Sequence, residues 1–205
     1  GLTPSDTRTV GSSIDLDQFR SLPESEKKHD VVFLGRLHEL KGVFDLPEVW
    51  AQVKTARPAA TLKVIGEGPH RTAVMDRFAA RNLMDGVEFT GGIGDDDKNR
   101  LLAEARLGLS LSSEEGWGLA VNEYLASELP VVAYDLPVFQ EVFPDVLHSV
   151  SLGDKTAASW AILELLADPA VREAMGRQGR ELAQRYDYRA MAREELRHLE
   201  ALGKS

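Results

Sequence analysis

The sequence predicts an α/β fold, a parallel and doubly wound sheet of six strands, and three observations carry that expectation. Six short apolar runs rich in β-branched residues recur along the 205 residues. Stretches with helical periodicity fill the gaps between them. Glycine-bearing turns follow most of the runs, where a crossover to a helix would begin.

The first run is VVFLG (31–35), followed by a helix near 43–57. TLKVIG (61–66) leads into a helix over 70–82, with Pro69 suited to a first helical turn. VEFTG (87–91) precedes GDDDKNRLLAEA, whose aspartates cap and charge the start of a helix over 96–106. LGLSL (107–111) leads to a helix over 118–128, and PVVAY (130–134) to a segment read as loop. The weaker run VLHSV (146–150) comes before a helix over 156–167 that has Asp154 ahead of its apolar stripe. Two nearly continuous helices, 169–185 and 188–202, close the chain.

Composition excludes several classes of function. A formal charge of -9 and an isoelectric point near 5.1 argue against wholesale binding to nucleic acid or anionic lipid, which require a cationic surface. With no cysteine there is neither a disulfide framework nor a thiolate nucleophile, a composition that suits a reducing cytoplasm. No apolar run approaches the roughly 18 residues that cross a bilayer, and the polar start GLTPSDTRTVGSS does not read as a signal peptide. Residues 1–29 are expected to form an extended arm, 30–185 the α/β domain and 186–205 a C-terminal helix.

In an open parallel sheet, ligands bind at the carboxyl ends of the strands, so the residues after each strand are the ones that matter. Here they are GRLHELKG, GEGPH, TGGIGDDD, SSEEGWG and DLPVFQEV. Glycines let a ligand approach the backbone, and helix starts offer unpaired N–H groups to an anion. Several such loops on one rim imply a nucleotide or sugar phosphate. Glu114 reads as a solvated neighbour of Glu115, and His38 as a surface histidine. The remaining histidines, at 29, 70, 148 and 198, have no metal-ligand spacing. Neither a Gly-x-Ser-x-Gly elbow nor a Gly-x-Gly-x-x-Gly fingerprint after the first strand is present, which disfavours hydrolase and nicotinamide chemistry.

GRLHELKG resembles the Gly-Arg-Leu-x-x-x-Lys-Gly segment, and EGWGLAVNE the Glu, seven residues, Glu motif, of the family 4 retaining glycosyltransferases. IDLDQF, LKVIGEGP, VEFTGGI, QEV and RYDYRAMA extend the resemblance in order over nearly the whole chain. It implies a single Rossmann-like domain, the C-terminal half of a GT-B architecture, with the acceptor-binding domain absent from this sequence. It further implies metal-independent transfer of a hexose from a UDP-, GDP- or ADP-sugar to a saccharide or lipid hydroxyl, with no cofactor. Arg36 and Lys41 would hold the donor diphosphate and Glu115 the sugar hydroxyls, the three that carry catalysis. Gly116, Trp117, Gly118 and Leu119 would present backbone to sugar and phosphate, Glu123 would take the ribose diol, and Gly92 and Ile93 would frame the base. Gly35 and Gly66 complete the expected donor rim.

The chain departs from the family pattern at Glu128, where glycine is common, and at Leu136-Pro137-Val138-Phe139, where a glycine pair is common. Glu141 falls on the acidic position after the fifth strand without an assigned role. By the resemblance the protein would be cytoplasmic, any peripheral membrane contact belonging to the missing domain. The competing expectation is a stand-alone nucleotide-binding or scaffolding module of the same fold. The joint presence of Arg36, Lys41, Glu115 and Glu123 counts against a purely structural role, since the fold needs none of them there.

Overall fold

The computed structural model describes residues 12–202, so the polar stretch 1–11 lies outside the described residues. Six parallel strands form one sheet: β1 (His29–Leu34), β2 (Leu62–Ile65), β3 (Val87–Gly91), β4 (Ala105–Ser110), β5 (Val131–Tyr134) and β6 (His148–Val150). Their spatial order is β3-β2-β1-β4-β5-β6, so the chain reverses direction across the sheet between β1 and β4. A crevice opens at such a reversal, because the loops leaving the two strands turn to opposite faces.

Alternation along the strands sorts the core into two layers. Val31, Phe33, Leu107, Leu109, Val132 and Tyr134 point to one face. There they meet α1 (Leu46–Ala56), α2 (Arg71–Ala79) and α6 (Lys155–Ala167). Val32, Ala105, Val131 and Ala133 point to the other face, covered by α3 (Asp95–Glu104), α4 (Leu119–Ala126), α5 (Pro137–Val142) and α7 (Pro169–Ala183). Trp50 and Phe78 on the first face and Tyr124 and Phe143 on the second are essentially fully buried. Each such aromatic removes on the order of 150–250 Å² from water, and together they dominate the apolar stabilisation of their layers.

Tyr124 ties this packing to the rim. Its hydroxyl accepts from the Leu34 amide at 2.5 Å and donates to the Leu109 carbonyl at 3.3 Å, which fixes α4 against the ends of β1 and β4.

Three features differ from the sequence expectation. The segment after β5, read as loop, contains the six-residue α5, with Pro137 in its first turn and Phe139 and Val142 buried. A helix this short shows too few periods to be recognised by pattern. The strand β4 begins at Ala105, directly after Glu104 ends α3, so the helical and strand patterns run together.

The arm expected to be extended is docked over its described part. Ile14 and Phe19 are buried, the Ile14 amide donates to the Tyr186 carbonyl at 3.0 Å, and the Tyr188 amide donates to the Ile14 carbonyl at 2.9 Å. Two apolar anchors in an otherwise polar stretch give no periodic signal, and only tertiary contact reveals them. The last helix, α8 (Tyr188–Leu202), starts from this junction.

Candidate functional site

The loop after β1 makes a short 3₁₀ turn, Glu39–Lys41, which His38 caps by accepting from the Leu40 amide through Nδ1 at 3.4 Å. Gly42 ends the turn with φ of 68°, and a Cβ there would lie 1.9 Å from the Leu111 carbonyl oxygen. Only glycine permits both the left-handed turn and this approach. The turn therefore presses onto the end of β4, where the Ser113 amide donates to the Leu40 carbonyl at 2.9 Å.

That contact brings together side chains far apart in sequence. Lys41 Nζ lies 2.5 Å from Glu115 Oε1, and the same oxygen accepts from Ser112 Oγ at 2.8 Å. Arg36, His38, Leu40, Lys41, Glu114, Glu115 and Gly116 line a cavity of about 300 Å³. Arg36 is exposed and, among the described residues, has no ion-pair partner of its own.

Beside the cavity, Gly118 starts α4 with φ of 101°, and a Cβ on it would fall 2.7 Å from Phe139. No side chain caps α4, so its first amides remain open to an anion. The Gly116 side is open space, whereas Gly118 is required by the turn and by packing. The Trp117 ring is committed elsewhere, edge-on to Tyr186 at 5.0 Å and to Phe143 at 5.4 Å. Any donor contact from Trp117 thus falls to its backbone, and the ring anchors the loop to the C-terminal turn. Leu119 is exposed at the helix start.

Glu123 sits apart from that cavity's lining, one and a half turns into α4 and nearly buried. Its Oε1 accepts from Lys98 Nζ at 2.7 Å, and Lys98 also donates to Asp95 Oδ1 at 2.8 Å. Burial pushes the Glu123 carboxyl above its usual range, against the pull of the Lys98 ammonium. Burial also opposes the charge on Lys98, but hydrogen bonds to Asp95 and Glu123 outweigh it and hold that ammonium above its ordinary value.

The remaining expected residues occupy the same rim with different settings. Gly35 and Gly66 are stacked backbone to backbone, a Cβ on Gly66 falling 2.1 Å from the Gly35 carbonyl oxygen. Gly92 is exposed and Ile93 half-buried, with Ile93 facing a separate groove shared with Thr90, Asp97 and Arg100. Glu141 is exposed on α5. His38, expected on the surface, is half-buried with its ring 5.6 Å from that of His70. Among the described residues no group of three side chains forms a candidate metal centre, and no described helix is long and apolar enough to cross a membrane.

Sequence reasoning missed Lys98 and Ser112. The Asp95 to Lys98 spacing signals a local pair on one helix face, but nothing in the sequence connects either residue to α4. Ser112 lies in no nucleophile motif, and its hydroxyl donates to Glu115 Oε1 at 2.8 Å and fixes that carboxylate.

Fold and site together define a doubly wound α/β domain with a pocket at its switch point lined by two basic and two acidic side chains, Arg36, Lys41, Glu114 and Glu115. The family model for Glycosyl transferases group 1 matches residues 15–182, and the chain belongs to that family. It is 28% identical to the phosphatidyl-myo-inositol mannosyltransferase of Mycobacterium leprae (strain TN) over 209 residues, covering 98% of this chain and 55% of that protein. The chain spans about half the length, 40 to 55%, of the first curated relatives it matches.

In fold it is similar to Anabaena HepE, solved in complex with UDP and glucose, with a TM-score of 0.81 at 18% identity over 92% of this chain and 55% of that one. It is also similar to the C-terminal domain of the group 1 family protein LpcC from Francisella tularensis. There the TM-score is 0.76 at 20% identity, over 85% of this chain and 99% of that one. The single α/β domain with its all-parallel sheet is thus of the Rossmann-like GT-B C-terminal type.

Proposed function

We propose that this chain is the donor-binding domain of a retaining, metal-independent glycosyltransferase that takes a hexose from a nucleoside diphosphate sugar. One observation carries the reading: Arg36, Lys41 and Glu115 converge on a single cavity between β1 and β4, beside the uncapped start of α4. Lys41 is paired with Glu115. A donor diphosphate replaces Glu115 as the partner of Lys41 and leaves that carboxylate, still held by Ser112, free to accept from the sugar hydroxyls.

Chemically, the bond between the anomeric carbon and the donor phosphate oxygen breaks, its electron pair leaving with the nucleoside diphosphate. The acceptor oxygen bonds to the same face of the sugar, and its proton passes to the departing phosphate oxygen. Arg36, Lys41 and the open α4 amides meet the charge that develops on the leaving group, the task a divalent cation performs elsewhere. The acceptor, a saccharide or lipid hydroxyl, is supplied by the rest of the protein, which acts in the cytoplasm and can meet a membrane peripherally there. By itself a domain of this kind binds donor and turns over slowly, because one domain forms a single wall of the cleft that aligns acceptor and excludes water.

The test is calorimetric titration of the 205-residue chain with UDP-, GDP- and ADP-sugars, with and without a metal chelator. One of the three is expected to bind, with unchanged affinity in chelator. No heat at millimolar concentrations of all three refutes the reading, and loss of binding in chelator refutes its metal-independent part.

A further inference from the structure

The ion pair between Lys98 and Glu123 is nearly buried, with side chains 16% and 12% exposed. Burial of this kind rarely stabilises a fold, because desolvating two charges costs about what their attraction returns, and an apolar pair of similar volume would serve as well or better. Its position is also particular. Lys98 belongs to α3, which starts just after the Gly92-Ile93 loop, and Glu123 to α4, which starts beside the Glu115 cavity. The contact with Asp95 fixes the ammonium at 2.8 Å on the α3 side, so Glu123 is held from one direction, through Oε1. Among the described residues, Oε2 has no hydrogen-bond partner.

We propose that Lys98 is a positioning residue for nucleotide binding: it orients Glu123 by its Oε1 and leaves Oε2 to accept from a single ribose hydroxyl. This rests on the donor-site reading, with Glu123 at the ribose as the Glu, seven residues, Glu resemblance implies, and narrows it, since a carboxylate with both oxygens free would take the 2′ and 3′ hydroxyls together. Lys98 makes no contact with the nucleotide itself. Its influence passes through Glu123.

The experiment measures affinities for the tightest-binding of UDP, GDP and ADP, and for inorganic pyrophosphate, on the wild-type chain and on Lys98→Met, Lys98→Arg, Glu123→Gln and the Lys98→Met/Glu123→Gln pair. Lys98→Met is expected to weaken the nucleotide by about tenfold or more while pyrophosphate changes less than about twofold, and Lys98→Arg to restore most of the loss. In the Glu123→Gln background Lys98→Met adds nothing. Equal losses for nucleotide and pyrophosphate, or additive losses in the double variant, overturn the positioning role. An unchanged affinity in folded Lys98→Met overturns it as well.

A second measurement needs no variant: the 2′-deoxy and 3′-deoxy forms of the same nucleotide bind the wild-type chain unequally, one losing affinity and the other keeping it. Equal losses mean that both oxygens accept and Lys98 must let go. A wild-type chain that binds no nucleotide at all refutes the donor-site reading beneath the inference. One that binds nucleotide but ignores Lys98→Met refutes the inference alone.

Discussion

Glu128 stands where the family resemblance leads one to expect glycine, and the structure gives that difference an energy. The helix α4 ends in a Schellman motif: the Leu129 amide donates to the Tyr124 carbonyl at 3.0 Å and the Glu128 amide to the Leu125 carbonyl at 3.0 Å. Glu128 holds the left-handed position of that motif with φ of 56°. A residue with a Cβ is strained there by about 1–2 kcal/mol relative to glycine. Glycine in turn gives back about 0.4–1 kcal/mol through the larger entropy of its unfolded chain. The Glu128 side chain contributes a partly exposed contact with Arg180 at 3.6 Å, about 0–1 kcal/mol, and a longer-range attraction to Lys27. Arg180 keeps its bond to the Phe19 carbonyl at 3.3 Å without it.

Comparing two replacements isolates the backbone term, because Glu128→Ala and Glu128→Gly lose the same ion pair. Glycine should be the more stable of the two by about 1 kcal/mol, or about 2–4 °C in Tm for a domain of this size. At an ordinary helical position the order is reversed by a similar amount. The assay is paired thermal and urea unfolding of the two variants at neutral pH. If Glu128→Ala equals or exceeds Glu128→Gly in stability, the left-handed strain assigned to this position is refuted.

Two further outcomes are expected. Arg36→Ala should weaken donor binding by about 1–3 kcal/mol in a calorimetric titration and leave Tm nearly unchanged, since the exposed guanidinium has no ion-pair partner among the described residues to lose; unfolding of the variant would mark Arg36 as structural. The second concerns acid: burial opposes the charge on Glu24, but hydrogen bonds from Arg172 and Arg106 outweigh it and hold the carboxyl below its ordinary value. A lowered carboxyl contributes stability above its unfolded pKa and loses it as the pH falls through the folded one. Glu24→Gln should therefore lower Tm at pH ~7, with the deficit shrinking as the pH falls below the ordinary glutamate range, and a deficit that stays constant as the pH is lowered contradicts the assignment.

The strand and helix alternation was legible because most elements repeat their period, and six apolar runs separated by helical stretches leave few ways to arrange a sheet. Arg36, Lys41 and Glu115 could be singled out because they follow strands whose carboxyl ends must share one rim, whereas Glu123, inside a helix, stands out only by the resemblance to the Glu, seven residues, Glu motif. The short α5 and the docking of Ile14 and Phe19 were not legible, since neither offers more than one period of pattern.

Sequence alone thus determined the fold class and which loops share the rim, because both follow from local periodicity and chain connectivity. Tertiary structure decided the pairings: Lys41 with Glu115, Lys98 with Glu123, and the Trp117 ring against Tyr186 and Phe143. Those contacts join elements separated along the chain by loops and whole helices. Their geometry depends on close approaches such as that of Gly42 to Leu111, which no local pattern encodes.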